Sequence, residues 1–303
     1  MKKIVVVGSS NTDMVINVDR IPKGGETVIG NNFSMISGGK GANQAVAASR
    51  GGGDVTFIAN IGKDTFGDRS IKGFLKDGIN VDYIVRDKKI HSGMALINVD
   101  KNGENSISVA VGSNDKLSSK DIEKGRRAIE SADTLLVHLE IPSKTVSKSI
   151  ELSYSHGVKV ILNPAPIRKF DRRILKKVFI MTPNEHEAEA LTGIKIRTEN
   201  DAKKASRKIL KEVMEAVIIT MGSRGAFVAT KDFQKLVPAF KTKVVDTTAA
   251  GDTFNGFLAV ALAENKDLLD AVRFANAAAV LSTRKVGAQP SIPTRKEVEK
   301  LLG

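Results

Sequence analysis

Asp252 follows three small residues, Ala249-Ala250-Gly251, and opens a stretch where Phe254, Phe257, Leu258, Ala261 and Leu262 recur at helical spacing. The small residues therefore fall at a helix N-terminus. They leave backbone N–H groups open there, and those donors together with the helix dipole favour an anion. A carboxylate beside such an anion hole can take the proton of a hydroxyl that attacks a phosphoryl group. A helix-capping Asp is the plainer alternative. Val244-Val245, just ahead of Asp246, read as the end of a strand.

A second stretch, Ser37-Gly38-Gly39-Lys40-Gly41-Ala42-Asn43-Gln44-Ala45, runs into a helical pattern over Ala42 to Ser49. Its glycines let backbone approach a ligand closely. Lys40 suits a phosphate and Asn43 suits hydroxyls, although the order and spacing of a Walker A loop are absent. Taken alone such a stretch is more often only a turn. The histidines at 91, 138, 156 and 186 have no metal-ligand spacing and read as structural or solvated. With no Cys, a disulfide scaffold, a thiolate metal site and a Cys nucleophile are excluded together.

These stretches need a frame. Met1 to Gly8 reads as a buried first strand ending in a Gly turn. Val55–Ile61, Thr134–Leu139, Val158–Leu162, Val178–Met181 and Ala216–Thr220 are further strand patterns. Between them, 69–76, 143–155 and 199–213 carry helical patterns. Strands alternating with helices predict an α/β fold, a mostly parallel central sheet flanked by helices. Two regions break that rhythm. Asp13 to Asp19 alternates, and Met94–Val99 and Ser106–Val111 flank Asn102-Gly103, a hairpin signal. They predict a small antiparallel sheet that is either a surface hairpin or a flap over the C-terminal edge of the main sheet, where α/β ligands bind.

The chain has 303 residues, 41% hydrophobic and 27% charged, which fits a soluble globular protein and neither a fibrous nor a disordered one. No segment reaches the roughly 18 to 20 unbroken apolar residues of a membrane helix. The cytoplasm is the expected compartment. The formal charge of +13 raises nucleic acid as a partner. The absence of a nucleic-acid motif and 5% aromatic content, which leaves little for base stacking, argue against it.

The two small-residue stretches together resemble the signatures of the pfkB carbohydrate kinase family, and the likeness runs from the first strand to about Pro293. Asn11-Thr12-Asp13, Asn163-Pro164-Ala165-Pro166, Thr182 to Glu187, Thr220 to Gly225 and Gly287-Ala288-Gln289 support it, and several of these point to the ribokinase branch. The resemblance implies one ribokinase-like α/β domain over 1–303, with a small β-sheet lid from segments of about 13–37 and 92–112 that often forms a homodimer interface. It implies transfer of the ATP γ-phosphate to O5 of D-ribose. Asp252 resembles the base, and Ala249, Ala250 and Gly251 the anion hole. Asn11, Asp13, Gly39, Lys40, Asn43 and Glu140 match sugar-binding positions. Asn184 and Glu187 resemble a site organising Mg²⁺ and phosphate; a first-turn helix acid is the alternative for Glu187. Thr220, Gly222, Ser223, Gly225 and Asn276 resemble the nucleotide site. Asp246, Thr248, Ser282, Lys285, Gly287 and Ser291 match the site of a monovalent cation, usually K⁺. Other acceptors (deoxyribose, fructose, adenosine) fit the same motifs.

Overall fold

Ile4 to Val7 is buried on both faces, which requires a central strand covered by helices on each side. In the computed structural model, which describes residues 2–303, this run is the core of β1 (Lys3–Val7). The further strands are β2 (Asn11–Val18), β3 (Gly30–Gly38), β4 (Asp54–Gly62), β5 (Ile84–Asp87), β6 (Gly93–Val99), β7 (Asn105–Ala110), β8 (Thr134–His138), β9 (Lys159–Asn163), β10 (Ile180–Met181), β11 (Ala216–Thr220), β12 (Ala226–Ala229) and β13 (Gln234–Val237). The helices are α1 (Lys40–Arg50), α2 (Thr65–Lys76), α3 (Ser119–Lys124), α4 (Arg126–Glu130), α5 (Ser143–Ser155), α6 (Glu185–Thr192), α7 (Glu199–Leu210), α8 (Ala250–Ala263), α9 (Leu268–Ser282) and α10 (Arg295–Leu302).

Nine strands form one sheet in the order β13-β12-β11-β10-β9-β8-β1-β4-β5. From β11 to β5 every pairing is parallel. The alternation along β1 divides the core. Ile4 and Val6 pack with α1, α8 and α9, while Val5 and Val7 pack with α5, α6 and α7. The expected mostly parallel α/β architecture is therefore present, and no helix is long and apolar enough to cross a membrane among the described residues.

The structure departs from the sequence reading in three places. The hairpin of β12 and β13, antiparallel to β11, extends the sheet at one edge. The second sheet, in the order β3-β2-β6-β7, is mixed and not antiparallel throughout, because β6 runs parallel to β2. β3, α1, β4, α2 and β5 intervene between those two strands, and the chain re-enters the small sheet from the same end. Val244 and Val245 are 55% exposed and form no strand; Val245 and Asp246 instead donate backbone hydrogen bonds to the carbonyl of Thr283 beyond α9.

Candidate active site

Parallel strands point their C-terminal ends the same way, so β1, β8, β9 and β11 deliver the residues that follow them to one edge. There they meet the N-termini of α1, α6 and α8. Helix α8 begins abnormally: its cap residue, Ala249, adopts a left-handed φ of 61°, which an L-side chain avoids. The N–H groups of Gly251 and Asp252 take no partner among the described residues. A Cβ built on Gly251 meets nothing within 4 Å, so the space beside these donors is open.

Asp252, in the first turn of α8, is 7% exposed. Its Oδ2 accepts a hydrogen bond from Asn43 Nδ2 at 3.0 Å, and its Oδ1 accepts one from Gln44 Nε2 at 3.0 Å. Both donors lie in α1. The two helices approach closely because Gly256 has no side chain; a Cβ there would lie 2.5 Å from Ala47 Cβ and 2.7 Å from the backbone of Ala48. Burial raises the pKa of Asp252, against the lowering pull of Lys40 and the two amides.

Lys40 is the charge counterpart of this site. Its pKa is raised, first by Asp252 and, against the cost of burial, by Glu140 and Glu187. These carboxylates act on its ammonium through longer-range attraction and not through a side-chain hydrogen bond among the described residues. Its backbone N–H donates to Glu140 Oε2 at 3.2 Å. Glu140 also takes the Ser9 hydroxyl at 2.5 Å. Burial opposes ionisation of Glu140, yet His138 first, then the Ser9 hydroxyl and Lys40, bring its pKa below the ordinary value. Asp13, in β2, is pushed up to about 6 by burial first and then by Glu140 and Asp252. Gly38 makes room for its carboxyl group, since a Cβ would lie 2.8 Å from Asp13 Cγ. Gly39, with φ 87°, presses against Ser10 and the backbone nitrogen of Asn11. Thus Asn11, Asp13, Gly39, Lys40, Asn43, Glu140 and Asp252 are brought together.

A cavity of about 210 Å³ touches this group at Lys40 and Asp252 and is otherwise lined by Asn163, Thr182, Asn184 and Glu187 among others. A larger one of about 910 Å³ runs past Thr220, Gly222, Ser223, Gly225 and Asn276. Both cavities touch Asn184, Thr220, Thr247, Ala250 and Gly251, so the N-terminus of α8 is a shared wall. Asn276 is tied down by donating Nδ2 to the carbonyl of Val237 at 3.0 Å. Asn184 and Glu187 form a capping box for α6, with Glu187 N–H donating to Asn184 Oδ1 at 2.8 Å. Glu187 is 8% exposed, and burial raises its pKa. Capping and a place in the site therefore coexist in this residue.

Asp246 joins two loops. Its Oδ1 accepts from the backbone and hydroxyl of Thr248, and its Oδ2 from the N–H of Gly287 at 2.8 Å. The Ser282 and Ser291 hydroxyls turn to the carbonyls of Ala279 and Ala288, and the Lys285 ammonium reaches toward Glu297 at 3.8 Å. One carboxylate between backbone-rich loops is a donor set that fits a monovalent cation.

Sequence reasoning missed Ser9, Gln44, Asn114 and His138. Asn114 donates Nδ2 to Asn11 Oδ1 at 2.8 Å and accepts from Ser10 N–H at 2.8 Å. Gln44 lies in the glycine-rich stretch beside Asn43, and that position was the available signal; its pairing with Asp252 exists only in the fold.

The sequence profile of the pfkB family carbohydrate kinases matches residues 1–295. The chain belongs to this family. It is a phosphotransferase, a sugar kinase by descent. The kinase is 43% identical to a ribokinase of Haemophilus influenzae over 99% of this chain and 98% of that one. It is also 43% identical to a bifunctional ribokinase/ribose-5-phosphate isomerase A of Fructilactobacillus sanfranciscensis, over 100% of this chain but 56% of that longer protein's length. Its fold superposes on a ribokinase of Arabidopsis thaliana complexed with ribose and ATP, with a TM-score of 0.92, 32% identity, and coverage of 100% and 99% of the two chains.

Proposed function

We propose that this kinase transfers the γ-phosphoryl group of ATP to O5 of D-ribose. One observation carries the reading. The small polar cavity and the large one share the open N–H groups at the start of α8, with Asp252 beside them. ATP fills the larger cavity, along Thr220, Gly222, Ser223, Gly225 and Asn276. Ribose takes the carboxylate-rich end, where Asn11, Asp13, Gly39, Lys40, Asn43 and Glu140 receive its hydroxyls. A sugar lacking one hydroxyl would leave a buried polar group unpaired there, which penalises it.

Asp252 accepts the O5 proton as that oxygen attacks. Its two amide partners fix the carboxylate and leave lone pairs for the hydroxyl. The turn Ala249-Ala250-Gly251 aims the open N–H groups of Gly251 and Asp252 where charge develops on the transferring group, while the Ala250 N–H is spent on the carbonyl of Thr247. Lys40 adds a positive charge that favours the ionised form of Asp252 against the larger effect of burial.

Asn184 and Glu187 would hold a hydrated Mg²⁺, whose chemistry there is to neutralise charge on the phosphates. Asp246, Thr248, Ser282, Lys285, Gly287 and Ser291 would hold K⁺ behind the anion hole through the Asp246 carboxylate and loop carbonyls.

The small sheet, from segments of about 13–37 and 92–112, acts as a lid on a single domain of residues 1–303. Closure over the sugar excludes water from the phosphoryl group. Phe33, Met35 and Leu96 share one face of this sheet and are exposed, which supports pairing with the lid of a second copy in a cytoplasmic homodimer.

The test is a substrate panel with ATP and Mg²⁺, run with and without K⁺. D-ribose should give the highest kcat/KM, with stimulation by K⁺. A higher value for deoxyribose, fructose or adenosine would replace ribose as the acceptor.

A further inference from the structure

His138 closes β8, is fully buried, and takes no part in the reaction proposed above. Its ring is held by packing against Gly8, where a Cβ would come within 2.9 Å of the ring carbon Cδ2. Two backbone donors converge on this one imidazole. The Ser9 N–H points at Nε2 at 3.1 Å and the Glu140 N–H at Nδ1 at 3.0 Å. An imidazolium offers neither donor a lone pair, and a neutral ring offers one. Burial first, then Lys40 and Arg168, hold the His138 pKa down at about 4, against the pull of Glu140. The ring is therefore neutral, and its tautomer is the remaining choice.

Hydrogen-bond accounting decides it. With the proton on Nδ1, that N–H has no acceptor among the described residues, and the Glu140 N–H is stranded against it. With the proton on Nε2, Nδ1 accepts from the Glu140 N–H. The Nε2–H then has Ser9 Oγ in reach at 3.5 Å. That arrangement strands only the Ser9 N–H, one buried donor instead of two. It also completes Ser9 Oγ, which accepts from Gly41 N–H at 3.4 Å and donates to Glu140 Oε2 at 2.5 Å. Glu140 Oε2 is thereby occupied, while Oε1 takes no hydrogen bond among the described residues.

We propose that His138 is a positioning residue for the acceptor: as the Nε2–H tautomer it orients the Ser9 hydroxyl, which fixes Glu140 so that Oε1 faces a substrate hydroxyl. The proposal rests on the reading of Glu140 as a sugar-binding residue. It assigns to a buried imidazole a place in sugar affinity and none in phosphoryl transfer.

Two measurements test it. The ¹⁵N chemical shifts of the imidazole nitrogens, assigned by comparison with His138→Gln, should report a neutral Nε2–H ring at neutral pH. An Nδ1–H or doubly protonated ring overturns the relay whether or not the enzyme uses ribose. In kinetics, His138→Leu should raise the ribose KM about tenfold, with kcat within about twofold and the ATP KM unmoved. His138→Gln should restore the ribose KM, because a carboxamide supplies one donor and one acceptor. Ser9→Ala breaks the chain at its next atom and should give the same ribose-specific loss, which keeps the test decisive if the leucine variant does not fold. A loss shared equally by kcat and the ATP KM, or no rescue by Gln, overturns the proposal. If wild type turns over no ribose, the function proposed above fails on its own, and the tautomer still stands or falls by the ¹⁵N spectrum.

Discussion

Asn43 Nδ2 and Asp252 Oδ2 meet at 3.0 Å although 209 residues separate them in the chain. The contact joins the first turns of α1 and α8, the two helices built from the small-residue stretches. It holds a buried carboxylate in one orientation and leaves it a free lone pair for a hydroxyl. Asp252→Asn keeps the shape and removes the basicity. For a positioned general base the expected fall in kcat is about 10²–10⁴-fold. Ribose binding, followed by calorimetry, should persist within a few-fold. Unchanged turnover in this variant would remove Asp252 from the chemistry.

Two glycines separate the scaffold from the ligand. A Cβ at Gly256 would strike the backbone of α1, which has no room to yield. Gly256→Ala should therefore destabilise the protein by about 1–3 kcal/mol, as overpacking does, and lower the melting temperature. A Cβ at Gly38 would first strike the carboxyl end of Asp13, a side chain rather than backbone. Gly38→Ala should raise the ribose KM while moving the melting temperature much less. Equal thermal losses in both variants would contradict this division.

Asp13 gives a pH dependence with a definite sign. Its pKa in the folded protein is about 6, against an ordinary value of 3.8, through burial first and neighbouring carboxylates second. The folded state therefore holds a proton that the unfolded chain has lost, between pH 3.8 and about 6. Across that window stability falls as pH rises, and above it the cost of burying the ionised group stays constant. Asp13→Asn should remove this slope and raise the melting temperature near pH 8 by about 2–4 °C for each kcal/mol relieved. The same variant should bind ribose more weakly. A variant less stable than wild type at pH 8 would show that the carboxylate is not strained there.

The frame of this site was legible because parallel strands are buried on both faces. Their apolar runs and the helical patterns between them stand out, as at Thr134–His138 and Ser143–Ser155. Ala249 to Asp252 was legible because small residues before an apolar helical repeat have few other uses. The β12–β13 hairpin was less visible, since four-residue strands at an edge carry little periodicity. Val244 and Val245 misled for the opposite reason: β-branched residues mark a strand only where strand partners exist, and the N–H of Val245 meets only one carbonyl beyond α9. Ser9, Asn114 and His138 have no local signature. Their roles arise from which strand ends the topology makes neighbours.

Lys40 yields the last prediction. Its ammonium lowers the pKa of Asp252 against the larger effect of burial, and Asp252 is the first cause of its own raised pKa. The two shifts describe one attraction seen from both partners. Lys40→Met removes it and leaves the burial. The Asp252 pKa should then rise, so the base is protonated over a wider range and the acid limb of kcat/KM moves to higher pH. At neutral pH, kcat should also fall, because Lys40 no longer favours the ionised base or balances the charge arriving with the phosphates. Raising the pH should recover part of the loss in Lys40→Met and none of the loss in Asp252→Asn. A Lys40→Met profile that keeps the wild-type acid limb would mean that Lys40 serves binding alone, and that burial and the α1 amides by themselves set the base.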